Sequence, residues 1–238
     1  MSDVSVWGDV ALAVLGGAIR VGTPFLFVSL GECLTEKSGR INLGLEGVLV
    51  LAAMAGFAGS YLTGSAWWGV WLAACAGALL AMLHGLLCSL KGVNDIATGI
   101  ALMLLGAGLA FYLGKPLIQP QAAQLPSLDL GGWSTSPQVQ AALRINALFP
   151  LGVALAALLA WGLANTRWGL IVRMAGDSSD AARALGYSVN AVRIWATTAG
   201  GFLAGIGVSF TPCVLPMVPI TMGLIGARGA GSRTRAAT

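Results

Sequence analysis

The chain has 238 residues, 57% of them hydrophobic and only 9% charged, and its mean hydropathy is +0.83. That balance lies far outside the usage of soluble domains and reads as an integral membrane protein. The net charge of +4 and the pI near 9.1 do not describe a nucleic-acid patch, because most Lys and Arg stand at the ends of apolar runs, which is the positive-inside pattern.

At roughly 20 residues per membrane helix the length accommodates about six or seven crossings in one membrane domain, with no room for a sizeable soluble one. The start, MSDVSVWGDVALAVLGG, carries two aspartates and lacks both a basic n-region and a small-residue cleavage site, so the first span is expected to be a true membrane helix. Apolar spans are predicted at 10–34, 47–64, 66–90, 93–114, 146–165 and 194–211, with a shorter one at 213–227. They are too long and too weakly alternating for barrel strands, so the predicted fold class is all-α, a polytopic membrane protein.

The connections set the orientation. Residues 167–193 form the longest polar interruption rich in basic residues, with Arg167, Arg173, Arg183 and Arg193, and are expected to face the cytoplasm and meet a soluble partner there. Alternation then puts Lys37, Arg40 and Lys91 on the same side and Lys115 and Arg144 outside, seven basic residues against two. The 115–145 connection has four prolines and Trp133 and reads as an ordered external loop with an interfacial anchor. Glycine recurs at close helical spacing in segments such as AAMAGFAGS and GGFLAGIG, as expected for helices that pack tightly in lipid.

Inside or beside the apolar spans stand Arg20, Glu32, Asn42, Glu46, His84, Asn94, Asp95 and Thr98. Such groups are costly at membrane depth and face a bundle interior, a partner or a watery cavity. Asn42, Glu46, Asn94 and Thr98 are the candidates for a substrate path. Two readings stand for Glu46, a group on that path or an interfacial ion pair with Arg40 or Lys37. Asn94 and Thr98 share a helix face, and helix capping in this region, with Asp95 as a cap, is the alternative to a substrate role. His84, the one histidine, has no Cys, Asp or Glu at metal-ligand spacing and reads as a satisfied core residue. There is no phosphate-binding loop for ATP, no Ser/His/Asp arrangement and no expected metal or cofactor, so the chain reads as a non-enzyme whose energy comes from a partner or an ion gradient. Cys75 and Cys88 lie on one predicted helix about 20 Å apart at 1.5 Å per residue, too far for a disulfide. Cys213 sits between two prolines in FTPCVLPMVPI, with no CxxC partner or adjacent base.

Three runs taken in order, GTPFLFVSLGECLTEKSGRINLGLEG, GVNDIATGIALMLLGAGLAFYLG and NTRWGLIVRMAGDSSDAARALGYSVNAVRIWATTAGGFLAGIG, resemble the permease subunits of bacterial ABC importers for nucleosides and simple sugars, within the branched-chain amino acid and ribose permease superfamily. The resemblance covers roughly residues 10–207. It implies a multi-pass permease of the bacterial inner membrane that pairs with a second permease, two ATP-binding subunits and an extracytoplasmic solute-binding protein. It also implies that 167–193 carries the coupling helix, with Asp177, Asp180, Ala181, Ala182, Arg183, Leu185 and Gly186 meeting the ATPase. The residues fit a short capped helix there: Asp177, Ser178 or Ser179 as cap, Asp180 and Arg183 paired at i, i+3, Ala181 and Leu185 as an apolar face and Gly186 as the stop. Residues 1–207 then form the permease domain. Residues 208–238 depart from the pattern and resemble the FTPCVLPM motif of membrane thiol-reductant transporters, so the rival readings are a thiol oxidoreductase using Cys213 and an autonomous ion-coupled carrier.

Overall fold

The computed structural model describes residues 3–117, 127–129, 140 and 144–209. The helices are α1 (Asp3–Lys37), α2 (Leu45–Thr63), α3 (Ala66–Leu87), α4 (Asp95–Gly114), α5 (Leu148–Asn165), α6 (Arg167–Asp177), α7 (Ser179–Ala184) and α8 (Val189–Val208). Among the described residues six are long and apolar enough to cross a membrane: α1 to α5 and α8. The seventh, shorter span expected at 213–227 and Trp133 lie outside the described residues, as does Cys213.

The only strands among the described residues are Ser127–Asp129 and Arg144–Asn146, which pair antiparallel with Leu128 opposite Ile145. They pair the middle of the 115–145 connection with its end and leave the six long helices as the membrane part of the fold.

The bundle is organised around α8, which packs on α1, α2 and α3, while α4 packs on α2 and α5 on α1. Lipid offers no hydrophobic drive between helices, so the contacts depend on close van der Waals approach. At the α1–α8 crossing a Cβ on Gly31 would run into the Gly200 carbonyl, and a Cβ on Gly200 would run into the Gly31 carbonyl and the Thr35 hydroxyl. Thr35 returns its own hydroxyl to the Gly31 carbonyl at 3.1 Å, so this buried polar group is satisfied within α1. Gly201 and Gly205 make the equivalent approach to α3, against Gly77 and Ala73. Large apolar side chains such as Trp67, Trp71, Leu104, Leu158 and Trp195 are left exposed on the outside, as lipid-facing residues should be.

Elements begin and end differently from the apolar runs where polar first and last turns extend a helix. α1 reaches Lys37 rather than residue 34, and α8 begins at Val189 rather than 194 because its first turn, VNAVR, is polar yet helical. The helix α6 has no counterpart among the predicted elements. Thr166 starts it by accepting from Gly169 N at 3.1 Å, and Gly169, Val172 and Ala175 recur along one buried face.

The close approach at Gly31 and Gly200 yields a stability prediction. Gly200→Val should lower the thermal unfolding midpoint of the solubilised protein, at a cost of about 3 kcal/mol or more for overpacking a backbone contact. Gly108→Ala, where a Cβ meets nothing within 4 Å, should stay within about 1 kcal/mol of the parent. Equal midpoints for Gly200→Val and the parent would contradict the packing described.

Candidate functional site

The ends of α1, α3 and α6 and the starts of α2, α4 and α8 meet at one end of the bundle, the end that carries Lys37, Arg40, Lys91 and residues 167–193. Gly39 turns the chain out of α1 with φ 83, a left-handed conformation that a residue with a Cβ rarely adopts, and it lies against Gly176 at the end of α6. Arg193, near the start of α8, donates from Nε to the Ser38 carbonyl at 3.1 Å and from an Nη to the Ala175 carbonyl at 2.9 Å. One guanidinium therefore ties α8 to the ends of both α1 and α6.

A second guanidinium ties the other half of this end together. Arg40 is buried and donates to Asp95 at 2.7 Å and to the Ser89 hydroxyl at 3.3 Å, so it joins the α1–α2 connection to the start of α4 and the end of α3. This partner is not Glu46, which stands exposed in the first turn of α2, where a carboxylate is favoured by the helix dipole.

The other proposed path residues have local bonds. Buried Asn42 accepts from Gly44 N at 3.1 Å, which shapes the entry to α2. Asn94, rather than Asp95, caps α4 by accepting from Ile96 N at 2.8 Å and Ala97 N at 3.4 Å. Thr98 donates to the Asn94 carbonyl at 2.9 Å. These four residues are gathered at the helix entries of one end.

The 167–193 connection contains two helices. The amphipathic α6 lays Gly169, Val172 and Ala175 inward, and Ser178 ends it and caps α7 by accepting from Ala181 N at 3.4 Å. Gly186, at φ 86, stops the chain after α7. Ala182 is buried, and it packs with Ala175 and Val189, so it anchors α7 to α6 and α8. Ala181, Arg183 and Leu185 face outward, Leu185 with 65% of its surface exposed. The Asp180–Arg183 pair closes at 2.9 Å but is fully on the surface and adds little stability.

Beside this loop a cleft of about 440 Å³ opens between α1 and the end of α6, lined by Ser29, Glu32, Cys33, Glu36, Lys37 and Asp177. Of these, Glu32 stands out in the sequence as a stray carboxylate, and Asp177 as a loop residue. Lys37 stands out there as a basic residue of the connection and Cys33 as one of four cysteines, whereas Ser29 and Glu36 carry no mark of their own, although Ser29, Glu32, Cys33 and Glu36 recur at i, i+3, i+4 and i+7, the spacing of one helix face.

The remaining reactive groups are enclosed or isolated. His84 is buried, with Nε2 3.6 Å from Cys88 Sγ, and its buried Nδ1 has no hydrogen-bond partner among the described residues, so the histidine is only partly satisfied. Burial pushes the Cys88 thiol up to about 11, which leaves it a poor nucleophile at neutral pH. Among the described residues no group of three His, Cys, Asp or Glu is placed to hold a metal ion.

Comparison with known proteins gives a consistent picture. The family model described as the permease component of branched-chain amino acid transport systems matches residues 14–225. A Haloferax volcanii protein named as a glucose ABC transporter permease is 28% identical over 225 residues, 90% of this chain and 68% of that protein. The nucleoside ABC transporter permease of Lactococcus lactis is 28% identical over 207 residues, 82% of this chain and 65% of its own length. The guanosine ABC transporter permease of Bacillus subtilis is 26% identical over the same number of residues, with the same coverage of each chain. The chain thus spans about two thirds of the length of these relatives. No solved structure matches it.

The Arg40–Asp95 pair generates a direct test. Asp95→Ala leaves a guanidinium whose side chain is only 7% exposed without its carboxylate, at a cost of about 3 kcal/mol, the low end for a broken buried pair because Asp95 itself is partly exposed. The double variant Arg40→Met, Asp95→Ala should recover most of that loss. Thermal unfolding of the three proteins in one detergent checks it, and a double variant no better than Asp95→Ala alone would remove the pair from the stability account.

Proposed function

We propose a transport function for this chain, which belongs to the family of permease components of branched-chain amino acid transport systems. It acts as the membrane-spanning permease subunit of an ATP-driven importer in the bacterial inner membrane, and carries no ATPase of its own. Its solutes are nucleosides or simple sugars, the classes named for its relatives from Lactococcus, Bacillus and Haloferax. Its partners are ATP-binding subunits, a second permease and an extracytoplasmic solute-binding protein.

The observation that carries this reading is the build of the 167–193 connection. A permease driven by a separate ATPase needs a rigid knob on its cytoplasmic side. Here α7 is capped by Ser178, stopped at Gly186 and anchored through Ala182, which leaves the side chains of Ala181 and Leu185 exposed among the described residues. Seven basic residues at this end of the bundle against Lys115 and Arg144 at the other support a cytoplasmic placement. Asp177, Asp180, Arg183 and Gly186 frame the knob, and Ala182 serves it from within. In this reading Asn42, Asn94 and Thr98 act on the path by setting the entries of α2 and α4, and Glu46 meets water at the same end.

Ala181→Asp with Leu185→Asp should leave the thermal midpoint nearly unchanged, because both side chains are exposed. It should weaken retention of the ATPase subunit at least tenfold, about 1.4 kcal/mol, since a docked face would have to desolvate two carboxylates. Uptake of labelled nucleoside or glucose by the assembled complex should fall in parallel. Ala182→Asp, by contrast, should reduce the yield of folded protein. Unchanged ATPase retention and uptake in the double aspartate variant would remove the docking assignment.

A further inference from the structure

The cleft between α1 and α6 lies deeper than the helix ends around it. Gly31 packs on Gly200, at the middle of α8, while Arg193 at the start of α8 bonds the Ser38 carbonyl. Seven residues separate these two levels on each antiparallel helix, so Glu32 sits about 9 Å inward from the Ser38 level at 1.5 Å per residue. Trp195, largely exposed two residues inward from Arg193, marks a headgroup-level aromatic anchor. Glu32 and Ser29 therefore lie at hydrocarbon depth, Ser29 on the side of α1 away from the Gly31–Thr35 packing face and Glu32 at the flank of that face.

A carboxylate and hydroxyl at this depth are expensive against lipid tails, and the cleft in front of them is large enough for water and a small solute. Its deep groups are acceptors. The Ser29 hydroxyl donates to the Phe25 carbonyl at 2.5 Å, which leaves its oxygen lone pairs free to accept, and the Glu32 carboxylate, which takes one bond from the Asn42 backbone N–H, has further lone pairs to offer. Lys37 stands only at the mouth, and Phe25, one turn beyond Ser29, is exposed and apolar, so the polarity stops there. An acceptor-rich pocket repels anions and suits O–H donors.

We propose that this cleft is an aqueous vestibule, open from the basic end of the bundle, through which an uncharged hydroxylated solute leaves, with Glu32 and Ser29 accepting its hydroxyl protons at the inner limit. The solute class and direction rest on the permease reading; the wetting of the cleft does not.

Cys33 lines the cleft and Cys75 is exposed on the outside of α3, so the chain carries its own probe and control. In the assembled complex, with Cys88 and Cys213 replaced by serine, a charged, membrane-impermeant methanethiosulfonate should modify Cys33 at least tenfold faster than Cys75, and only when applied from the cytoplasmic face of inside-out vesicles. Mass spectrometry of the labelled native chain gives the same reading if the substituted protein does not fold. A Cys33 rate equal to that of Cys75 would overturn the proposal, because the face would then meet lipid. So would reaction from the opposite face alone, or reaction in the isolated chain but not in the complex, which would mean that a second permease covers the face. Glu32→Gln should leave the Cys33 rate unchanged and lower uptake of nucleoside or glucose about tenfold; normal uptake would remove Glu32 from the solute's route. Fast Cys33 labelling in a complex whose unsubstituted form performs no ATP-dependent uptake would sink the permease reading and the solute assignment, and leave the water-filled cleft standing.

Discussion

Backbone contact between α8 and its neighbours is the constraint on which the rest of the structure depends. In lipid an apolar side chain gains nothing by turning inward, so helices hold together only where their surfaces approach closely enough for many dispersion contacts. Gly200 on Gly31, and Gly201 and Gly205 on α3, allow that approach. They also fix the sliding register of the helices. Once Gly31 is set against Gly200, Arg193 falls level with Ser38, and the guanidinium can reach the carbonyl ends of both α1 and α6. A slip of one turn would bury bulk against bulk and carry Arg193 about 5.4 Å away from its acceptors.

Much of this was legible in the sequence because membrane helices announce themselves by length and apolarity. All six long predicted spans have a helical counterpart, and the basic connections meet at one end, as the charge count implies. The family was legible from the order and spacing of three motif runs. The polar groups were read less completely, since a side chain such as Asn42 or Asn94 reads alike whether it lines a path or satisfies the backbone at a helix entry. Only the observed bonds, to Gly44 N and to Ile96 N, show what each holds. Ala182 illustrates the same limit. Its neighbours Ala181 and Arg183 face outward, but the turn of α7 points Ala182 at Ala175 and Val189. The helix α6 was hidden for a different reason: eleven residues with three inward positions look like a loop to a search for long apolar runs, although Thr166 with Gly169 three residues on is a capping signal.

The polar groups at the basic end divide by what surrounds them. Arg40, Asp95 and Ser89 are enclosed and bonded to one another, so they stabilise the junction of α3, α4 and the α1–α2 connection. Ser29, Glu32 and Glu36 are equally polar but face open space at the side of α1. The first set is bonded side chain to side chain across three parts of the chain; in the second, Ser29 donates to the Phe25 carbonyl and Glu32 accepts from the Asn42 backbone N–H, and their remaining lone pairs border the cleft. Carboxylate and hydroxyl oxygens with lone pairs left over are costly at membrane depth unless water reaches them, and that is the physical ground for treating the two sets as different parts of the molecule.

The two proposed regions also share a wall. The outward knob of α7 is not carried by α5, from which the chain arrives. It is anchored through Ala182 to α6 and α8, and the end of α6 is held by Arg193 and by the Gly176–Gly39 contact to α1. Lys37 and Asp177, which flank that contact, are themselves cleft residues. Under the transport reading, a push on α7 is therefore delivered to the junction of α1 and α6 rather than to the apolar centre of the bundle. Displacement of that junction changes the width of the cleft directly, with no need for a signal to travel along the helices, because the part that meets the ATPase and the part that meets the solute are joined by one guanidinium and two touching glycines.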